Sequence, residues 1–208
     1  MSEFGLAIEK SLIGEIKEGK KYGKFLAEQF DHRVARERQG WQLLLKYRGS
    51  YTQDVLNNIF DTVDESGKHR FGPLLATPNR NNILESGPTL FTQWVEELLF
   101  STKKVEVALN ICIEKLRIKR ARNGLATLLL YLSDPDSYNV WVPTTWKALA
   151  DLGRITEYKY NDWGIDYLRF NEAAKSFRDK YELRPQEVDW FLFSVRAHIK
   201  TQSAKEKT

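Results

Sequence analysis

The sequence predicts an all-α fold: a single compact helical domain over residues 1–200, one long irregular loop at about 64–89, and a polar, disordered tail at 201–208. Three observations predict it. Apolar residues recur at three- and four-residue spacing along most of the chain. Capping and stop residues fall where those periodic runs begin and end. No hairpin signal or alternating strand pattern interrupts them. No Pro/Gly/Ser-rich linker divides the 208 residues, so one domain is expected.

Residues 4–47 carry Leu6, Ile8, Leu12, Ile13 and Ile16, then Phe25, Leu26, Phe30 and Val34, then Trp41, Leu44 and Leu45, which predicts two or three consecutive helices. Gly14, Gly19, Gly23 and Gly40 are the expected breaks or kinks. Thr52 is placed to cap a helix over 53–63 with the stripe Val55, Leu56, Ile59, Phe60, Val63. The periodicity then stops, and Ser66-Gly67, Gly72-Pro73, Pro78-Asn79 and Gly87-Pro88 predict the long loop. Within it Arg70, Asn79, Arg80 and Asn81 could hydrogen-bond bases or phosphates, or their side chains could simply close turns.

Residues 90–120 read as helix in one or two pieces through Trp94, Leu98, Leu109 and Leu116. The stretch 124–132 is apolar nearly all round, which places it at the centre of the fold, and Asp134-Pro135-Asp136 stops it. Thr144 is a candidate cap for a helix over 146–152 that ends at Gly153. Asn161-Asp162 opens a helix to Tyr181, and Arg184-Pro185-Gln186-Glu187 opens the last one, through about Lys200.

No run of about eighteen apolar residues could span a bilayer, and the basic-then-apolar pattern of a signal peptide is missing, so a cytoplasmic protein without a membrane partner is expected. Cys112 is the single cysteine, which excludes an internal disulfide and a thiolate metal cage; its apolar neighbours Ile111 and Ile113 mark it as packing. His32, His69 and His198 lack metal-ligand spacing, and no phosphate loop, dinucleotide fingerprint or nucleophile elbow occurs; neither a cofactor nor a metal is expected. Pro135-Asp136 followed by Glu157-Tyr158-Lys159 has the residue order of a PD-(D/E)xK metal nuclease, but that site needs adjoining strands and a helix intervenes here.

The net charge is only +4, yet cations cluster twice. Residues 33–38 read RVARER, with an acid inside, and 115–122 read KLRIKRAR, five cations without one. A helix face like the second attracts phosphates; equally, either cluster could be a solvated face in a protein of thermophile-like Lys and Glu content.

The stretch 123–154, NGLATLLLYLSDPDSYNVWVPTTWKALADLGR, resembles the N-terminal targeting domain of McrB-like modification-dependent restriction and defence ATPases: a Gly-led apolar helix, Leu-x-Asp-Pro, an aromatic, Asn-Val-Trp, then a capped helix. Arg70-Phe71-Gly72-Pro73, Trp94 before Glu97-Leu98, Phe170-Asn171 and the stretch 184–190 resemble other parts of that domain, so the likeness covers about residues 45–195. It implies a helical DNA-targeting module that reads modified, double-stranded DNA and works with a motor ATPase or GTPase or a nuclease subunit, having neither activity itself. A fainter similarity to helix-hairpin-helix DNA glycosylases lacks the catalytic acid, since Val140 is followed by Trp141.

On this reading Lys115, Arg117, Lys119, Arg120 and Arg122 supply phosphate contacts, with Lys147 and Arg154 nearby. Tyr138, Trp141 and Trp146 around Asn139 are the candidates for stacking on a base, or else are core. The rival class is a helical scaffold that docks onto a protein partner; the metal nuclease is a weaker third.

Overall fold

The computed structural model describes residues 3–64, 77–119, 121–156 and 162–205, with side chains at 9–64, 80–119, 121–156 and 162–201. Among these the fold is all-α, with no strand. The chain runs through α1 (Glu3–Glu18), α2 (Lys20–Glu28), α3 (Phe30–Lys46), α4 (Gln53–Asp64), α5 (Thr77–Glu85) and α6 (Pro88–Val95), which widens into a π-helical turn, π1 (Glu96–Phe100). Then come α7 (Val105–Asn110), a second π-helical turn π2 (Ile111–Lys115), α8 (Asn123–Ser133), α9 (Pro143–Asp151), α10 (Trp163–Lys180) and α11 (Pro185–Lys205).

Of the four glycines expected to break the N-terminal run, Gly19 does so as the residue preceding α2, while Gly14, Gly23 and Gly40 lie within helices. The second break falls at Gln29. Gly40 is there for packing: a Cβ on it would collide with the Val63 side chain, so its bareness lets α3 and α4 approach closely. Thr52 caps α4 as expected, its hydroxyl accepting from Val55 N at 3.2 Å.

The loop expected over 64–89 is in part helix. The Asn-rich run forms α5, with Pro78 in its first turn and Ile83 and Leu84 buried beneath it, and α6 already starts at Pro88. Burial of two adjacent apolar residues outweighs the weak helix propensity of the asparagines. The expected positions Arg70 and His69 lie outside the described residues.

α8 is the centre of the molecule. Every residue from Gly124 to Leu132 is buried, as its all-round apolar character predicts, and it packs against α3, π1 and π2. Burying side chains such as Leu125 and Leu129 stabilises by about 1.5–3 kcal/mol each. Cys112, also fully buried, has its thiol pushed by that burial up to about 12, so it is packing and not a nucleophile.

α9 is capped differently from expectation. Pro143 occupies its first turn, and Thr145, not Thr144, accepts from Val142 N at 3.1 Å. At the C-terminal end α11 continues as helix through Lys205, into the stretch expected as tail. One continuous core runs from Leu12 of α1 to Val195 of α11, drawing on every quarter of the chain.

Candidate nucleic-acid interface

The second basic cluster is not a helix face. The helix ends at Lys115, and 116–119 is irregular chain with a bend at Leu116 and a turn at Lys119; Arg120 lies outside the described residues. Inward and outward residues alternate along it. Ile118 is 2 % exposed and Leu116 half-buried, while Lys115, Arg117 and Lys119 face solvent; after Arg120, Ala121 turns in and Arg122 out. Backbone anchors hold this arrangement: the Trp94 indole N–H donates to the Leu116 carbonyl, Lys119 N donates to Ser86 Oγ at 3.1 Å, and Ala121 N to the Ile118 carbonyl at 3.1 Å. Asn123 closes the far end by donating to the Trp141 carbonyl at 3.0 Å.

The cations are available. Among the described residues Lys115 and Arg122 make no ion pair, Arg117 Nε donates to its neighbour's Glu114 carbonyl, and Lys119 lies 3.8 Å from Glu85 with both side chains about two-thirds exposed. A surface pair of that kind is worth roughly 0–1 kcal/mol and yields easily to a phosphate. Arg117, Lys119 and Arg122 line a groove of about 390 Å³ together with Glu114, Ile118 and Trp163. The three cations are the expected site residues that the fold brings together.

Trp163, which the sequence reading did not single out, is the first residue of α10 and is half-buried. Its position is fixed from both sides. Asp162 Oδ1 accepts from Ile165 N and from Asn110 Nδ2, each at 2.9 Å, and Asn110 Oδ1 accepts from Gly164 N at 2.9 Å. These backbone and side-chain donors hold the Asp162 carboxyl below its ordinary range. A Cβ on Gly164 would strike the Glu106 backbone, so α7 and α10 cross at van der Waals contact.

The other expected site residues lie elsewhere. Trp141 is fully buried and Trp146 is 2 % exposed; they pack on each other at 5.3 Å and, with Tyr167 and Phe170, form an aromatic core. Neither ring can stack on a base without unpacking that core, so of the two readings that the sequence left open for them the core one fits. Asn139 is buried too, its N–H groups donating to Asn171 Oδ1 at 2.9 Å, and it closes the turn after α8. Tyr138 is half-buried beside it.

Arg154 is spent internally. Its Nη2 reaches Glu9 at 2.5 Å, where Lys180 and the Tyr181 hydroxyl converge on the same carboxylate oxygen. Arg80 is similarly engaged, by Asp61 at 2.5 Å and by Asn57. Lys147 is exposed on α9 and Asn81 on α5. Asn79 lies in the backbone of α5, and Arg70, Arg120, Glu157 and Lys159 fall outside the described residues.

Among the described residues no group of three or more His, Cys, Asp or Glu is arranged to hold a metal ion, and no helix is long and apolar enough to cross a membrane. No protein-family model, curated protein or solved structure matches the chain.

Proposed function

We propose that this chain is a DNA-binding targeting module that grips phosphates through Lys115, Arg117, Lys119 and Arg122. The observation that carries the reading is the alternation along 115–119: apolar residues pinned into the core direct cations outward from a held backbone, so little backbone freedom is lost on binding. Phosphate contacts of this kind give affinity without sequence choice. The sequence resemblance to the targeting domains of McrB-like restriction systems supports the biological setting, in which a separate motor or nuclease subunit performs the chemistry and base modification selects the target.

The test is fluorescence anisotropy of the purified chain against short duplexes, unmodified and carrying methylated or hydroxymethylated bases. Four phosphate contacts predict a loss of about a hundredfold in affinity between roughly 50 and 200 mM salt. Absence of binding to any duplex at low salt sinks the proposal.

One observation favours a second reading, a protein-docking domain. Val107 on α7 and Ile165 and Leu168 on α10 remain exposed on two helices that pack together. A monodisperse monomer that purifies without another protein would remove it.

A further inference from the structure

We infer that the end of α5 sets the strength of the phosphate grip: Ser86 holds the backbone of Lys119 in place, and Glu85 pairs with the Lys119 ammonium until a phosphate displaces it. The inference deepens the proposed function and rests on its reading of Lys119 as a phosphate contact.

α5 is a firm support for this. Ile83 and Leu84 are buried in the core, and Glu85 and Ser86, which follow them, reach Lys119 at the end of the helix. The Ser86 hydroxyl is the link: it donates to the Asn82 carbonyl at 2.8 Å and accepts from Lys119 N at 3.1 Å. The Ser86 N–H donates to the same Asn82 carbonyl at 3.2 Å, so the residue that anchors Lys119 is itself held. With its backbone amide anchored, Lys119 does not have to be ordered when a ligand arrives.

Glu85 acts on the other end of the same residue. Of the four cations proposed to meet phosphates, Lys119 is the one that pairs with an acid among the described residues. Its Nζ lies 3.8 Å from Glu85 Oε2, with both side chains about two-thirds exposed, whereas Lys103 closes on Glu97 at 2.7 Å. At 3.8 Å the carboxylate is beyond hydrogen-bond length and attracts the ammonium without locking it. A phosphate brought to Lys119 must replace that attraction, and it meets the Glu85 charge well inside the screening length of about 10 Å. Both effects oppose binding, so Lys119 is the contact whose strength the chain itself adjusts.

The experiment measures the affinity of the full chain for one unmodified duplex by anisotropy at about 50 mM salt. Glu85→Gln should tighten binding about two- to fivefold, the range expected for an exposed pair. Glu28→Gln, which removes the same charge from a similar pair with Lys24 at 3.7 Å on α2, should change it less. In a Lys119→Gln chain the effect of Glu85→Gln should fall to that of Glu28→Gln, because Glu85 acts through Lys119. Ser86→Ala should weaken binding by the folded chain about threefold, and Ser86→Thr, which keeps the hydroxyl, should bind as the native chain does.

Equal effects of Glu85→Gln and Glu28→Gln, or tightening by Glu85→Gln that survives Lys119→Gln in full, would reduce Glu85 to bulk charge and overturn the inference. Native affinity in Ser86→Ala overturns it as well, and in each case the phosphate reading stands. Binding of no duplex by the native chain at low salt overturns both.

Discussion

Arg33 in RVARER and Arg117 in KLRIKRAR belong to the two cation clusters of the chain, and the fold sends them to opposite environments. Arg33 is 3 % exposed. It donates to both oxygens of Asp189 at 2.7 and 2.9 Å and to Glu37 at 2.6 Å, and the Tyr131 hydroxyl completes the network by donating to the other Glu37 oxygen at 2.7 Å. Burial raises the Tyr131 hydroxyl far above its ordinary pKa, helped by the Glu37 charge, so it stays a donor. The network ties α3, α8 and α11 together. Among the described residues Arg117 donates to a backbone carbonyl, that of Glu114, and pairs with no acid. The difference shows that a cation's availability to a ligand depends less on its neighbours in sequence than on which acids the topology brings to it. RVARER receives Asp189 from 156 residues away, whereas no described acid is brought to Arg122 or Lys115.

Breaking the first cluster has the largest expected effect. Arg33→Ala leaves Asp189 and Glu37 buried without their cation and should cost about 3–5 kcal/mol in urea unfolding. Where the variant remains folded, its affinity for DNA should equal that of the native chain. A cost under 1 kcal/mol would mean that water reaches these acids and that the two clusters differ less than their burial indicates.

Arg154 offers an intermediate case, a cation expected at the DNA surface and found against Glu9. Arg154→Ala should cost about 1–3 kcal/mol, since Lys180 and Tyr181 still serve the carboxylate. Burial alone would raise the Glu9 pKa, but the hydrogen bonds from Arg154, Tyr181 and Lys180 and the Arg154 charge outweigh it, and the net direction is down from 4.5. Because the folded value lies below the unfolded one, this contribution is complete above about pH 4.5 and disappears as the pH falls through the folded value. Glu187, lowered against its burial by Arg184 and Tyr22, acts in the same sense. Unfolding free energies measured stepwise into acid should therefore decline, and less steeply in Arg154→Ala.

The all-α architecture, the central α8 and most helix ends were legible because period, caps and stops are local signals. α5 was not, because its stability comes from burying Ile83 and Leu84 in the core, while its own residues favour turns. The candidate site was legible in half. Lys115, Arg117, Lys119 and Arg122 stood out as an acid-free cation run, but their presentation follows from the strict alternation in Lys115-Leu116-Arg117-Ile118-Lys119, a two-residue period too short to stand out inside a helical stretch. Trp141 and Trp146 sit in the most distinctive sequence motif, and that distinctiveness reflects the aromatic core. Trp163 had only a cap beside it as a signal; its partner Asn110 is separated from it by 53 positions along the chain.

The smallest expected effect is the sharpest probe of the comparison. Arg38 is exposed on α3 and belongs to the first cluster, so Arg38→Glu should change stability by no more than about 0.5 kcal/mol and leave nucleic-acid affinity unchanged. Arg117→Glu removes the same charge from the chain, yet should weaken binding about tenfold and lower the salt slope by about 1. Both variants alter the net charge of +4 equally, so the pair separates position from total charge. If anisotropy at matched salt shows equal losses for the two, attraction is a property of the whole surface, and the ordered segment after π2 has no special claim to the phosphate.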